Sequence, residues 1–263
     1  MISPIMLVRA AGSGQPKKDH GLKLGLTTYT LRKFTLEQAI AMTKEVELKY
    51  ISLKDMHLPL KSTRAERQKA SKKVKDAGLV LMGGGVIAMK NDEQQIRDAF
   101  QYAQDAGMPT IICSPEPAAL DKVEKLAGEF KVRIAIHNHG PGDKHFPSPF
   151  DAFRATKDRD PLMGICMDVG HTVRNGNDPV AAIEQCAGRL YDFHMKDEAT
   201  VAANSEPVEV GKGAIDIPGV LKALIRIKYQ YHVALEYEAH ADDPMPGVKR
   251  SIAYIRRVLA QIG

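Results

Sequence analysis

The chain has 263 residues, 44% hydrophobic and 26% charged. That is globular composition at the length of one α/β barrel, and nothing points to disorder beyond the first twenty or so residues. A net charge of +5 admits an anionic ligand, but 6% aromatics and no Trp argue against stacking on single-stranded nucleic acid.

The chain opens with a short apolar run, Ile5-Met6-Leu7-Val8, followed by Ala10-Ala11-Gly12-Ser13. The run is too short for a secretory core and no basic residue precedes it, although the stub of a longer leader would look the same. Residues 1–21 are therefore read as an N-terminal tail or leader remnant, and 22–263 as the folded domain. A cytoplasmic location is expected, or a periplasmic one if a leader precedes the chain.

From Leu22 onward short apolar or β-branched runs alternate with segments of helical period. The spacing predicts strands over Lys23–Tyr29, Tyr50–Leu53, Val80–Gly84, Thr110–Cys113, Arg133–His137, Met163–Asp168, Leu190–His194 and His232–Tyr237. Between and after them it predicts helices over Leu36–Glu47, Arg64–Ala77, Asp92–Ala106, Ala118–Phe130, Pro149–Thr156, Pro179–Ala187, Ile217–Ile227 and Met245–Ile262. Thr35 and the pair Asp178-Pro179 are start signals, and Gly78, Gly107 and Gly188 are stop signals. The basic cluster Arg64, Arg67, Lys69, Lys72, Lys73 and Lys75 falls on one amphipathic helix and reads as its solvated face.

Eight β–α units without a composition break predict a single (β/α)8 TIM barrel. A doubly wound open sheet is the runner-up, but Thr27-Thr28-Tyr29-Thr30 follows the first strand where that fold carries a Gly-rich turn. Gly83-Gly84-Gly85 marks either a close backbone approach or a plain turn. Cys113, Cys166 and Cys186 have no metal or disulfide spacing and read as small buried residues. No segment is long enough to span a membrane.

In such a barrel the chemistry collects at the C-terminal ends of the strands. Strand five ends in His137-Asn138-His139, strand six in Asp168-Val169-Gly170-His171, strand seven in His194-Met195-Lys196-Asp197, and strand eight in Glu236-Tyr237-Glu238. A single His at a strand end is usually structural. Four consecutive strands ending in imidazole or carboxylate converge on one space, where they need a cation between them. Period-two spacing puts small Cys166 below Asp168 and Ala234 below Glu236. The expected ligands are His137, Asp168, His194 and Glu236, with His139 the alternative on strand five. They suit one divalent ion: Mn, Co, Zn, Fe or Mg.

The stretches Asp168-Val169-Gly170-His171, His194-Met195-Lys196-Asp197, Gly211-Lys212-Gly213 with Asp216, and Leu235-Glu236-Tyr237-Glu238 resemble the sugar phosphate isomerase/epimerase family. That family consists of xylose-isomerase-like TIM barrels in the AP endonuclease 2-like superfamily. The resemblance runs from about Leu22 to the C-terminus. It implies that Asp168, His194 and Glu236 bind metal, that Glu236 also moves a proton, and that His171 contacts substrate. The family's strand-five glutamate is His137 here. A metal-bound neutral imidazole is a poor proton acceptor, so the two-glutamate epimerisation does not transfer unchanged.

The expected activity is a metal-dependent sugar or sugar-phosphate isomerase/epimerase working through an enediolate. Glu236, His139 or His171 would be the base, and Lys196 would neutralise charge on oxygen unless it merely pairs with Asp197 or Glu238 at the rim. Lys54, His171, Tyr29 and Glu238 are the expected substrate contacts, with His57 a weaker candidate. A dehydratase or lyase on keto-sugars or inososes is the runner-up, since elimination needs no paired acid and base. A non-catalytic sugar-binding barrel and a phosphodiesterase of the AP-endonuclease branch are the rivals. The partners expected are a small sugar or polyol and, as barrels of this type often pair, a second copy; neither nucleic acid nor membrane is expected.

Overall fold

The computed structural model describes residues 19–262. The expected tail lies almost wholly outside the described residues. Eight parallel strands close into a barrel: β1 (Lys23–Thr27), β2 (Tyr50–Leu53), β3 (Val80–Met89), β4 (Thr110–Pro115), β5 (Arg133–His137), β6 (Met163–Asp168), β7 (Leu190–Met195) and β10 (His232–Leu235). A two-stranded antiparallel ribbon, β8 (Asp197–Glu198) with β9 (Pro207–Val208), follows β7. Round the barrel the order is β1-β10-β7-β6-β5-β4-β3-β2, so β5 stands across from β1, which β10 and β2 flank.

Every residue of β6 and β7 is buried, as parallel strands covered by helices require. The covering helices are α1 (Leu36–Glu45), α2 (Arg64–Asp76), α3 (Glu93–Ala106), α4 (Leu120–Phe130), α5 (Pro149–Thr156), α6 (Val169–Arg174), α7 (Pro179–Cys186), α8 (Ile217–Arg226) and α9 (Met245–Gln261). Thr35, Thr63 and Ser148 each close a capping box. Gly107 ends α3 at φ 66°, in the left-handed region where glycine is favoured. On α2 only Ala70 and Val74 are fully buried; the expected solvated basic face holds for Arg64, Lys69, Lys72 and Lys75 but not for Arg67, whose side chain is mostly covered and pairs with Asp105 of α3 at 3.0 Å.

Three differences from the sequence-based expectation bear on the site. β3 continues to Met89 instead of stopping at Gly84. A Cβ at Gly83 would lie 2.7 Å from Thr110 O, and one at Gly85 (φ +133°) 2.0 Å from Ile112 O. The glycine run therefore lets β3 press against β4. β10 stops at Leu235, short of the expected Tyr237, which releases Glu236 to Glu238 from the strand. An unexpected helix, α6, starts inside the Asp168-Val169-Gly170-His171 motif, because the Asp168 side chain accepts from His171 N at 2.8 Å as its N-cap. Cys113, Cys166 and Cys186 are free and buried. No helix among the described residues is long and apolar enough to cross a membrane.

Candidate metal centre and substrate cavity

Four strand ends deliver His137, Asp168, His194 and Glu236 to one point, each 3% exposed or less. One ligand atom from each lies within 4.8 Å of the others. His137 Nε2 is 3.1 Å from His194 Nδ1 and 3.5 Å from Asp168 Oδ2. His194 Nδ1 is 3.2 Å from Glu236 Oε2 and 3.8 Å from Asp168 Oδ2. Two imidazole nitrogens facing each other at this distance need a proton or a cation between them. Asp168 Oδ2 is fully buried and faces the Lys196 ammonium at 2.9 Å. Two imidazoles and two carboxylates gathered out of water are a donor set that fits one divalent ion.

A second cluster, His137, Cys166 and His194, also falls within reach. Burial pushes the Cys166 thiol up to about 12, and its Sγ–H donates to Asp192 Oδ1 at 3.7 Å. The four-residue set instead offers two ready carboxylates. Burial alone would raise Asp168, but His171, Lys196, His137 and His194 outweigh it and hold the carboxyl well below its usual range. Burial likewise opposes ionisation of Glu236, and His194, Lys196 and Lys54 overcome it. Burial drives His137 well below the ordinary imidazole value. It acts the same way on His194, where Cys166, Glu236 and Asp168 prevail and raise the ring well above it.

Lys196 stands against the carboxylates. Its Nζ is 2.9 Å from Asp168 Oδ2, 3.0 Å from Glu236 Oε2 and 2.6 Å from Glu238 Oε1. Of the two rim partners weighed for it, Glu238 is the one it takes. Asp197 turns away and accepts from the backbone N–H groups of Gly211, Gly213 and Ile215 at 2.8 to 3.2 Å. The Gly211-Lys212-Gly213 stretch thus shapes a loop clasped by Asp197, and Asp216 caps α8. Gly170 is the glycine this packing requires, since a Cβ there would lie 2.5 Å from Lys196 Cδ.

A cavity of about 410 Å³ opens over the cluster, lined by Tyr29, Lys54, Asp55, Met56, Val86, His137, His139, His171, Glu236 and Glu238. That is the size of a small-molecule site. Lys54 Nζ reaches Glu236 Oε1 at 3.1 Å and lies 5.3 Å from the centre of the Tyr29 ring. His57 is elsewhere: it is buried with Nε2 3.0 Å from Phe34 O.

His139 lines the cavity outside the four-residue cluster, its Nδ1 3.2 Å from Asp143 Oδ2. Burial lowers both His139 and His171. Asp143 went unread in the sequence, although Gly140-Pro141-Gly142 before it signals the turn that folds it back. Asn138 was also missed. Its side chain accepts from Asp168 N at 2.9 Å and donates to Asp168 O at 3.3 Å, which fixes the backbone of Asp168.

The family described as the xylose isomerase-like TIM barrels matches residues 40–258. Inosose dehydratase of Clostridium beijerinckii is 25% identical over 134 residues, covering 45% of each chain. The rhizopine catabolism protein MocC of Rhizobium meliloti is 27% identical over 142 residues, covering 48% of this chain and 42% of its own. The matches thus span less than half the length of these curated relatives. Among solved structures, 3-keto-D-glucoside 4-epimerase from E. coli superposes with a TM-score of 0.72 at 16% identity, over 90% of this chain and 99% of its own. The barrel, its order of strand-end residues and the extent of the match agree: the chain belongs to the xylose isomerase-like TIM-barrel family.

Proposed function

We propose that this protein is a divalent-cation-dependent isomerase or epimerase of a keto-sugar or related polyol, acting by proton transfer next to a carbonyl. The observation that carries the reading is the facing of two proton-handling pairs across one cavity. His139 with Asp143 follows β5, while Glu236 with Lys54 belongs to the opposite wall, after β10 and β2. Epimerisation needs one group on each face of the reacting carbon.

His137, Asp168, His194 and Glu236 would hold the cation, which supplies Lewis acidity to neighbouring substrate oxygens. Asp143 orients the His139 ring, and burial keeps that ring neutral and able to accept a proton. Glu236 is an ionised carboxylate on the other face, with the Lys54 ammonium beside it as a donor. Lys196 meets negative charge that develops on oxygen. His171 and Glu238 supply hydrogen bonds to hydroxyl groups, and the Tyr29 ring with Met56 and Val86 covers the apolar side of the ligand.

Elimination of water is the second reading. It is favoured by His137, an imidazole at the end of β5 where a carboxylate would complete a symmetrical pair with Glu236. Both readings are tested by incubating the cation-loaded protein in deuterated water with D-fructose, L-ribulose, 3-keto-glucose and an inosose. Deuterium beside the carbonyl with a new isomer supports the first. Loss of water from the substrate supports the second. Tight binding of these sugars with no exchange would replace both by a sugar-binding barrel.

A further inference from the structure

One residue-pair below the candidate cation site, the barrel interior carries a polar layer where side chains are ordinarily apolar. Cys166 of β6, Asp192 of β7 and His232 of β10 are register partners across three neighbouring strands. Asp168 and His194 are partners one step higher on the same faces. Asp192 and His232 are each 1% exposed. Asp192 Oδ2 and both ring nitrogens of His232 lack hydrogen-bond partners. Buried polar atoms of this kind are retained against a solvation cost, so the layer calls for an explanation.

The layer meets the site at Cys166, which lies within 4.8 Å of the His137 and His194 ligand atoms, and at the far side of the His194 ring. His194 turns Nδ1 toward His137, Asp168 and Glu236, and Nε2 toward Asp192 Oδ1 at 3.7 Å. This is an electrostatic contact, longer than a hydrogen bond. Asp192 Oδ2 is in turn 3.7 Å from His232 Nδ1. Room for the His232 ring comes from Gly25 on β1, where a Cβ would lie 2.2 Å from His232 Nε2. An imidazole can present only one lone pair to a cation while the other nitrogen keeps its hydrogen, and a carboxylate beside the second nitrogen fixes which is which.

We propose that Asp192 is a positioning residue that keeps the ring hydrogen of His194 on Nε2 and so leaves Nδ1 free as a cation donor, with the His232 ring beside the far oxygen of Asp192. The proposal rests on the four-residue cluster being a cation site. Asp192→Asn preserves shape and removes the charge.

The test compares Mn and Co binding by calorimetry in the wild type, Asp192→Asn and Tyr229→Phe, together with the visible spectrum of the Co-loaded forms. Tyr229→Phe is the control for disturbance at the same depth, because its hydroxyl donates only to His232 O. A 10- to 100-fold weaker affinity with an altered Co spectrum is expected for Asp192→Asn and not for Tyr229→Phe, at near-native melting behaviour. If the wild type binds the ions and Asp192→Asn binds them equally well with the same spectrum, the positioning role is overturned and the cation site stands. Equal losses in both variants also overturn it, as a packing effect. If the wild type binds neither ion, the cation site itself is wrong and this inference falls with it.

Discussion

Lys196 Nζ lies 2.9 Å from Asp168 Oδ2, so an ammonium group already stands against the oxygen that a bound cation would use. The two charges compete for one place, and Lys196 also neutralises Glu236 and Glu238. Removing a buried partner leaves carboxylates uncompensated, which costs about 3–5 kcal/mol. Lys196→Met should therefore lower the melting temperature most in chelator. Added Mn should restore more stability to the variant than to the wild type. Thermal melts with and without Mn check this.

Gly170 has no room for a side chain, since a Cβ would also approach Glu198 Oε1 at 2.7 Å. Gly170→Ala must push Lys196 or Glu198 aside, at a cost of about 1–3 kcal/mol. The displacement of Lys196 should reduce turnover as well. Denaturant unfolding and the deuterium-exchange assay measure the two effects separately.

If His139 takes the proton, His139→Ala should slow exchange beside the carbonyl by about 10²- to 10⁴-fold. Asp143→Asn should cause a smaller loss, because the ring remains and only its orientation relaxes. Burial keeps His139 unprotonated to lower pH than a free imidazole, so the acid limb of the rate profile should fall below 6.5. An unchanged rate in His139→Ala would move the base to Glu236 or His171.

Glu198 follows the strand-seven motif and was not singled out in the sequence. Burial raises its carboxyl to about 7, and Oε2 has no hydrogen-bond partner. Unfolded, it ionises near 4.5; folded, it keeps its proton until about 7. Between those values the native state holds more protons, so stability falls as pH rises. Glu198→Gln should remove that decline and be more stable than the wild type above pH 7 by on the order of 2 kcal/mol. Unfolding free energies at pH 5 and pH 8 give the comparison.

Much of this architecture is legible because each strand of a closed barrel ends at the same rim. The apolar runs before His137, Asp168, His194 and Glu236 give their depth, and the closed order gives their convergence. Lys54 and Tyr29 were found at that rim by the same logic. What lay hidden depended on loops and on the interior below the rim. Asp143 reaches His139 only through a turn. Asp192 and His232 sit on strands as ordinary interior positions, and their polarity acquires meaning only when register places them under His194. β10 ends earlier than expected because Glu236 already belongs to the loop beyond it, and α6 was not expected because Asp168 both finishes β6 and caps the helix that follows.

The proposed function requires one divalent ion among His137, Asp168, His194 and Glu236. Elemental analysis of the purified protein, after loading with Mn, Co or Zn and removal of excess, tests it most directly beside Glu236→Gln and His194→Ala. About one equivalent is expected in the wild type, with a large loss in both variants. A wild-type protein that retains no ion, or variants that retain as much as the wild type, would contradict it.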